Sequence, residues 1–256
     1  LKPFWLKQTL GPTRSHLPSS RSVVPDQHLV AATMPSYKLT YFDIRGLVET
    51  SRWLFKIAKV DFEEVRFSLA FGTPGDFSTI IRPEFDAAKA AGELDAALGK
   101  VPVLEVDGVK IGQSKAIERY LAREFGFMGA STVEAAQIEM LCEHVIDFKQ
   151  AYQKVRGITD AEEKEKKMKE WFDETLPAHV AAAEKSLPAG SGPWLVGGKV
   201  SLADLVWYSF LAAPKGFFDN AEGAKAAFQG CPRIKAAMAA VDGIPELQEW
   251  FKARPD

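Results

Sequence analysis

Apolar and polar positions along the chain fall into two regimes that meet near residue 130. Before that point the apolar runs are short and mixed in period. Lys38-Leu39-Thr40-Tyr41-Phe42 is rich in residues that favour strands and predicts a first strand. Val48, Trp53, Leu54, Ile57 and Ala58 recur at helical spacing and predict a helix over 47–59. Phe62 to Phe67 alternates apolar and charged residues, as a second strand does. Gly72, Pro74 and Gly75 mark 68–82 as a loop, and the alanine-rich stretch 83–98 reads as partly helical. Val101 to Val106 predicts a third strand. Asp107-Gly108 is a two-residue hairpin signal leading into Val109-Lys110-Ile111. Ala116, Ile117, Tyr120 and Leu121 place a helix over 113–125. The order is β-α-β-α-β-β-α.

Beyond a linker at Gly126 to Ser131 no strand pattern recurs. Leu141, Val145, Phe148, Tyr152 and Val155 are spaced by four and three, an amphipathic helix over 132–156. Residues 160–186 begin heavily charged and then carry an apolar stripe through Trp171, Phe172, Leu176, Val180 and Ala183, with a kink expected at Pro177. Ser201-Leu-Ala-Asp204 ahead of an apolar run is a capping box with aspartate in place of glutamate, a folding signal rather than a catalytic one. Two more short helices are expected near 231–241 and 245–253.

Composition adds exclusions. The chain has 256 residues, 46% of them hydrophobic, enough for one large domain or two small ones. A net charge of -2 supplies no field to attract nucleic acid or an anionic membrane. No apolar run is long enough to span a bilayer. Cys142 and Cys231 give no disulfide framework and no Cys-x-x-Cys pair, which points to a reducing, cytoplasmic setting. His16, His28, His144 and His179 lack ligand spacing, so no metal is expected. Residues 1–33 differ from the rest: four basic residues against Asp26, four prolines and four serines read as disordered. This segment fits an organelle transit peptide. It fits better a leader upstream of a start at Met34.

Three places could carry chemistry. Val101-Pro102 lies where a strand is expected. It is either a cis-proline leaving the Val101 backbone free to pair with a peptide-like ligand, or an edge proline facing solvent. Gln113-Ser114 opens a helix directly after a strand. Its free N–H groups suit a carboxylate, and a serine there is equally at home as an N-cap. Tyr41 ends the first strand, where sites gather in such sheets. Its hydroxyl can donate to a thiolate, or its ring can simply fill the core.

Taken together and in this order, these features resemble the cytosolic glutathione transferases. The likeness is strongest to the sigma class, which includes a haematopoietic glutathione-dependent prostaglandin D synthase. It rests on Tyr37-Lys-Leu-Thr-Tyr41-Phe-Asp-Ile-Arg45-Gly46, on Gly99-Lys100-Val101-Pro102 through Gly108, on Gln113-Ser114 through Leu121, and on Ser201-Leu-Ala-Asp204-Leu. The resemblance implies an α/β thioredoxin-like N-terminal domain over 34–125, an all-α C-terminal domain over 132–256, and a homodimer. It implies glutathione as co-substrate, a hydrophobic electrophile as acceptor, a detoxifying role and no metal. Tyr41 matches the catalytic tyrosine. Lys100, Val101, Pro102, Gln113 and Ser114 match glutathione contacts, with Phe85 and Lys89 at the glycyl end. Asp147 matches an acidic residue that reaches the partner subunit's glutathione.

There are departures. Leu47 stands where the sigma pattern often has an arginine near the thiol. Phe85 replaces a tryptophan, and the stretch 72–98 is longer than the pattern. Lys154 stands where the prostaglandin synthase has an aromatic pocket residue, which speaks against prostaglandin synthesis. Alternatives remain: a non-catalytic structural or scaffold relative, a prostaglandin or peroxide isomerase or peroxidase, or a thiol–disulfide reductase. The last needs a cysteine near Tyr41, and none lies between residues 35 and 141.

Overall fold

A computed structural model describes residues 35–254, apart from 74, 75 and 191 and the side chain of Phe77; the expectation for residues 1–33 lies outside it. The first half comprises β1 (Tyr37–Phe42), α1 (Glu49–Ala58), β2 (Glu63–Phe67), β3 (Ala70–Phe71), β4 (Ile80–Ile81), α2 (Pro83–Ala90), β5 (Val103–Val106), β6 (Val109–Gly112) and α3 (Ser114–Glu124). The second half holds α4 (Thr132–Arg156), α5 (Ala161–Glu170), α6 (Leu176–Ser186), α7 (Leu202–Leu211), α8 (Ala221–Ala226), α9 (Pro232–Asp242) and α10 (Pro245–Ala253). Four strands form a mixed sheet in the order β2-β1-β5-β6, with β1 and β2 parallel and the other pairs antiparallel. This is a thioredoxin-like sheet followed by an all-helical half.

The period-2 alternation of β1 decides which residues face which layer. Tyr37, Leu39 and Tyr41 share one face and join Leu104, α1 and α3 in the main core. Phe42 on the other face packs with Phe67, Phe85, Ala88 and Val103 in a smaller cluster. The main core does not stop at the end of α3. It continues through Phe127 and Met128 into α4, α7 and α9, and Trp207 Nε1 donates to the Leu141 carbonyl at 3.0 Å. The stretch read as a linker is therefore partly buried, and it is tied down by the bond from Leu202 N to Phe127 O at 2.9 Å. The two halves therefore share one apolar core.

Several local expectations need correction. The stretch 68–82 is not plain loop: β3 and β4 pair as a minimal antiparallel ribbon, and Asp76 caps a single turn by accepting from Ser78 N at 2.9 Å. The third strand begins at Val103, so Val101-Pro102 precedes it. At Pro177, where a kink is expected, the α-helix is interrupted: one π-helical turn, Trp171–Thr175, joins α5 to α6 and absorbs the rung that a proline without N–H cannot supply. The helix α8 has only six residues, too short for its periodicity to register, and Asn220 caps it. Among the described residues no helix is long and apolar enough to cross a membrane.

The capping box is buried. Asp204 accepts from Leu195 N at 2.8 Å, Ser201 N at 2.8 Å and Ser201 Oγ at 2.6 Å. Burial pushes its carboxyl up to about 6 against those donors, so it remains ionised at neutral pH. Asp204→Ala strands two buried backbone donors and is expected to lower stability by about 3 kcal/mol. Equilibrium urea unfolding measures this, and a loss under about 1 kcal/mol would mean the box is not the anchor of α7.

Candidate active site

Tyr41 reaches the end of β1 with its ring buried, 6% exposed, and its hydroxyl beneath the next loop. There Leu47 N–H donates to Tyr41 Oη at 3.2 Å. Gly46 lies over the same oxygen: at its φ of +47° an added Cβ would stand 2.6 Å from Tyr41 Oη. Only glycine fits both that backbone and that distance. A phenol that accepts from a backbone N–H still has its own hydrogen to give, and Leu47 N–H orients it. The Leu47 side chain, 57% exposed, takes no part in this contact. The motif's Gly46 and the backbone of Leu47 thus serve the tyrosine directly, and a required positive φ beside a strand-end tyrosine is the signal that could have marked them.

A second cluster gathers around the start of β5. The Val101-Pro102 peptide is cis and Pro102 is buried, which removes the solvent-facing alternative. Pairing of β5 with β1 ends at Val103, leaving Val101 beyond the last rung. Lys100 is exposed next to it, and the stem of Lys89 runs alongside Gly99, where a Cβ would meet Lys89 Cε at 3.0 Å. Phe85 is not on that open side. Its ring, 5% exposed, lies 5.2 Å from Phe42 under the Arg82 guanidinium, so it is a packing residue. The spacing that suggested a ligand contact crosses a stretch of unusual length, and the aromatic ring was drawn into the core instead.

Gln113 precedes α3 at φ +71°, a left-handed conformation that costs a non-glycine residue free energy of about 1 kcal/mol or more. It occupies the N-cap position, and Ser114 is the first helical residue, so the reading of Ser114 as a cap is replaced. The N-terminal N–H groups of α3 are consequently not capped by a side chain. Asp147 is exposed on α4.

Between the two halves lies a cavity of about 390 Å³. Gly46 and Leu47 from the loop over Tyr41, Trp53 of α1 and Lys115 at the start of α3 form one side. Lys149 and Arg156 of α4, the segment after α7 and Arg254 form the other. Lys154, expected in the pocket, does not line it, whereas Arg156, exposed like Lys154, does. The Lys149 amine stands over the Phe217 and Phe210 rings at 4.9 and 5.9 Å, and burial together with nearby Lys115 pulls it down to about 8. Cys142 is buried, which pushes its thiol up to about 12 and leaves it unsuited to thiolate chemistry.

A thioredoxin-like sheet ending on an oriented tyrosine hydroxyl, with an unpaired strand end nearby and a helical half closing the cavity, has the organisation of a glutathione-using transferase. Comparison with known proteins agrees. Residues 37–123 match the family model described as the glutathione S-transferase N-terminal domain, and residues 146–254 match the one described as the C-terminal domain. Glutathione S-transferase 1 of Ascaris suum is 32% identical over 226 residues, 87% of this chain and 98% of that protein. Hematopoietic prostaglandin D synthase of Gallus gallus is 32% identical over 228 residues, again 87% and 98%. A Nu-class GST from Haemonchus contortus superposes with a TM-score of 0.66 at 31% identity, covering 87% of this chain and 98% of that one. The chain belongs to the glutathione S-transferase family and is a transferase.

Gly46→Ala tests the close approach at Tyr41. It forces a Cβ into a left-handed position against the hydroxyl and is expected to cost about 1–2 kcal/mol of stability in urea unfolding. An unchanged unfolding midpoint would show that the loop stands away from Tyr41.

Proposed function

We propose that the cavity is where glutathione, laid along Val101 and Gln113–Ser114, has its thiol ionised by Tyr41 and delivered to an electrophile. The observation that supports this most is the Tyr41 hydroxyl itself. Its oxygen accepts from Leu47 N–H at 3.2 Å, and its own hydrogen remains to be given. A hydrogen bond donated to sulfur favours the charged form. A free thiol with pKa near 8.5 is only about 3% thiolate at pH 7. Lowering that pKa by about two units corresponds to roughly 2.7 kcal/mol and makes most of the thiol reactive.

The remaining contacts follow the same reading. Val101 pairs its backbone with the cysteinyl residue in the manner of an added strand. Gln113, Ser114 and the open N-terminus of α3 take the γ-glutamyl carboxylate. Lys89 and Lys100 attend the glycyl end, and Pro102 holds the Val101 turn. Held beside the acceptor, the thiolate displaces a leaving group or adds to an activated double bond. As a sigma-like member the chain works as a homodimer in the cytoplasm, with Asp147 approaching the partner's glutathione, and its role is detoxification.

Tyr41→Phe removes the O–H and keeps the ring. The apparent pKa of kcat/KM should rise by about two units toward 8.5, and at pH 6.5 conjugation of 1-chloro-2,4-dinitrobenzene should fall about 50-fold. The KM for glutathione should change little, since the peptide contacts are untouched. Parental activity and an unmoved pH profile in this variant would remove Tyr41 from the mechanism.

A further inference from the structure

The cavity wall is not the apolar surface that an uncharged electrophile calls for. Six cations line it: Arg45, Lys115, Lys149, Arg156, Lys215 and Arg254, against the single carboxylate of Glu49. Arg254 and Lys115 are neutralised in place. Arg254 donates to Glu49, and Lys115 is bonded to both oxygens of buried Glu118 at 2.8 Å. Arg45, Lys149 and Arg156 have no carboxylate partner among the described residues. Lys149 is held by the faces of Phe217 and Phe210, which steady a cation without cancelling its charge. With its pKa near 8 it remains about nine-tenths protonated at pH 7. Uncompensated cations around a small cavity focus a positive potential into it.

None of these three side chains is among the residues assigned to glutathione. Lys149 and Arg156 belong to α4, and Arg45 to the loop after β1. The apolar part of the wall, Leu47, Trp53, Pro214 and Phe217, adjoins them in the same cavity. We propose that the acceptor is an amphipathic electrophile carrying a carboxylate remote from its reacting carbon, with Arg45 and Lys149 binding the carboxylate and the apolar wall receiving its body. The proposal rests on the transferase mechanism above. For an enone of this kind, the thiolate forms a carbon–sulfur bond at the β-carbon. The double-bond electrons pass to the carbonyl as an enolate, which takes a proton from solvent, and nothing leaves.

The test uses the full chain and a matched pair of acceptors: an enone on an eight-carbon chain ending in a carboxylate, and its methyl ester. The charge is too far from the reacting carbon to alter intrinsic reactivity, so the ratio of the two kcat/KM values reads recognition alone. The acid should be preferred about tenfold, and the preference should shrink as salt rises. Lys149→Met should bring the ratio close to one through a higher KM for the acid, with the KM for glutathione unchanged. Lys149→Arg should retain the preference, which guards against a variant that merely misfolds. A ratio near one in the parent, with both acceptors turned over, overturns the proposal and leaves the transferase mechanism standing. A Lys149→Met variant that keeps the ratio but raises the KM for glutathione also overturns it, because the cations would then serve the co-substrate. If neither acceptor nor 1-chloro-2,4-dinitrobenzene is turned over, the mechanism beneath the proposal fails with it.

Discussion

The buried carboxylate of Glu49 is the contact on which the rest of the site depends. It accepts from Trp53 Nε1 at 3.1 Å, Trp250 Nε1 at 2.9 Å, Arg52 Nη1 at 3.3 Å and the Arg254 guanidinium. Burial alone would raise its pKa. The donors Trp250 and Arg254, with the charges of Arg254 and Arg52, outweigh burial and hold it below the ordinary carboxylate value. A buried charge is tolerated only when it is this fully satisfied. Its partners are drawn from opposite ends of the chain. Arg254 also donates to the Pro214 carbonyl at 2.6 Å, so one carboxylate gathers α1, the segment after α7 and the chain's last described residue around the cavity.

The same network extends to the tyrosine. Arg52, almost fully buried, bonds Glu64 at 2.6 Å and the Ile44 carbonyl at 2.8 Å, with a longer contact to the Arg45 carbonyl at 3.3 Å. These bonds hold the loop that carries Gly46 and Leu47 over the Tyr41 hydroxyl. Positioning therefore passes from Glu49 to Arg52, from Arg52 to the loop carbonyls, and from the loop to the phenol by way of Leu47 N–H. A few tenths of an ångström matter at such a donor, because a hydrogen bond weakens steeply with misalignment. These buried charges fix the aim of the phenol.

Much of this fold was legible because periodicity reports local burial. The alternation through Tyr37, Leu39 and Tyr41 and the spacing along Thr132–Arg156 both predicted the elements observed. What could not be read was non-local. Glu49 and Arg52 look like the solvated face of a helix, and they are buried only because Glu64, Trp250 and Arg254 arrive from elsewhere. The packing of Phe85 against Phe42 and Phe67 is non-local too, since it lies beyond a stretch of unusual length. Lys154 and Arg156 are both exposed and differ by two positions, which on a helix is a rotation of about 200°, and only Arg156 borders the cavity. Motif spacing identified the family securely. The acceptor side has no motif, because its walls come from α4, the segment after α7 and the C-terminus, each placed by packing.

Leu47 in place of an arginine would at first suggest a thiol activated with little cationic help. The wall charges change that balance. Arg45 and Lys149 put positive potential into the same cavity, and potential of that sign favours a thiolate as well as an incoming carboxylate. The two effects differ in range. In the proposed mechanism the bond from Tyr41 acts at contact and is little affected by salt. The field reaching an acceptor in solvent decays over about 8–10 Å at ordinary ionic strength. In the proposed mechanism, activation of the thiol rests on the Tyr41 contact and recruitment of an anionic acceptor on the wall charges, so the two respond to salt separately.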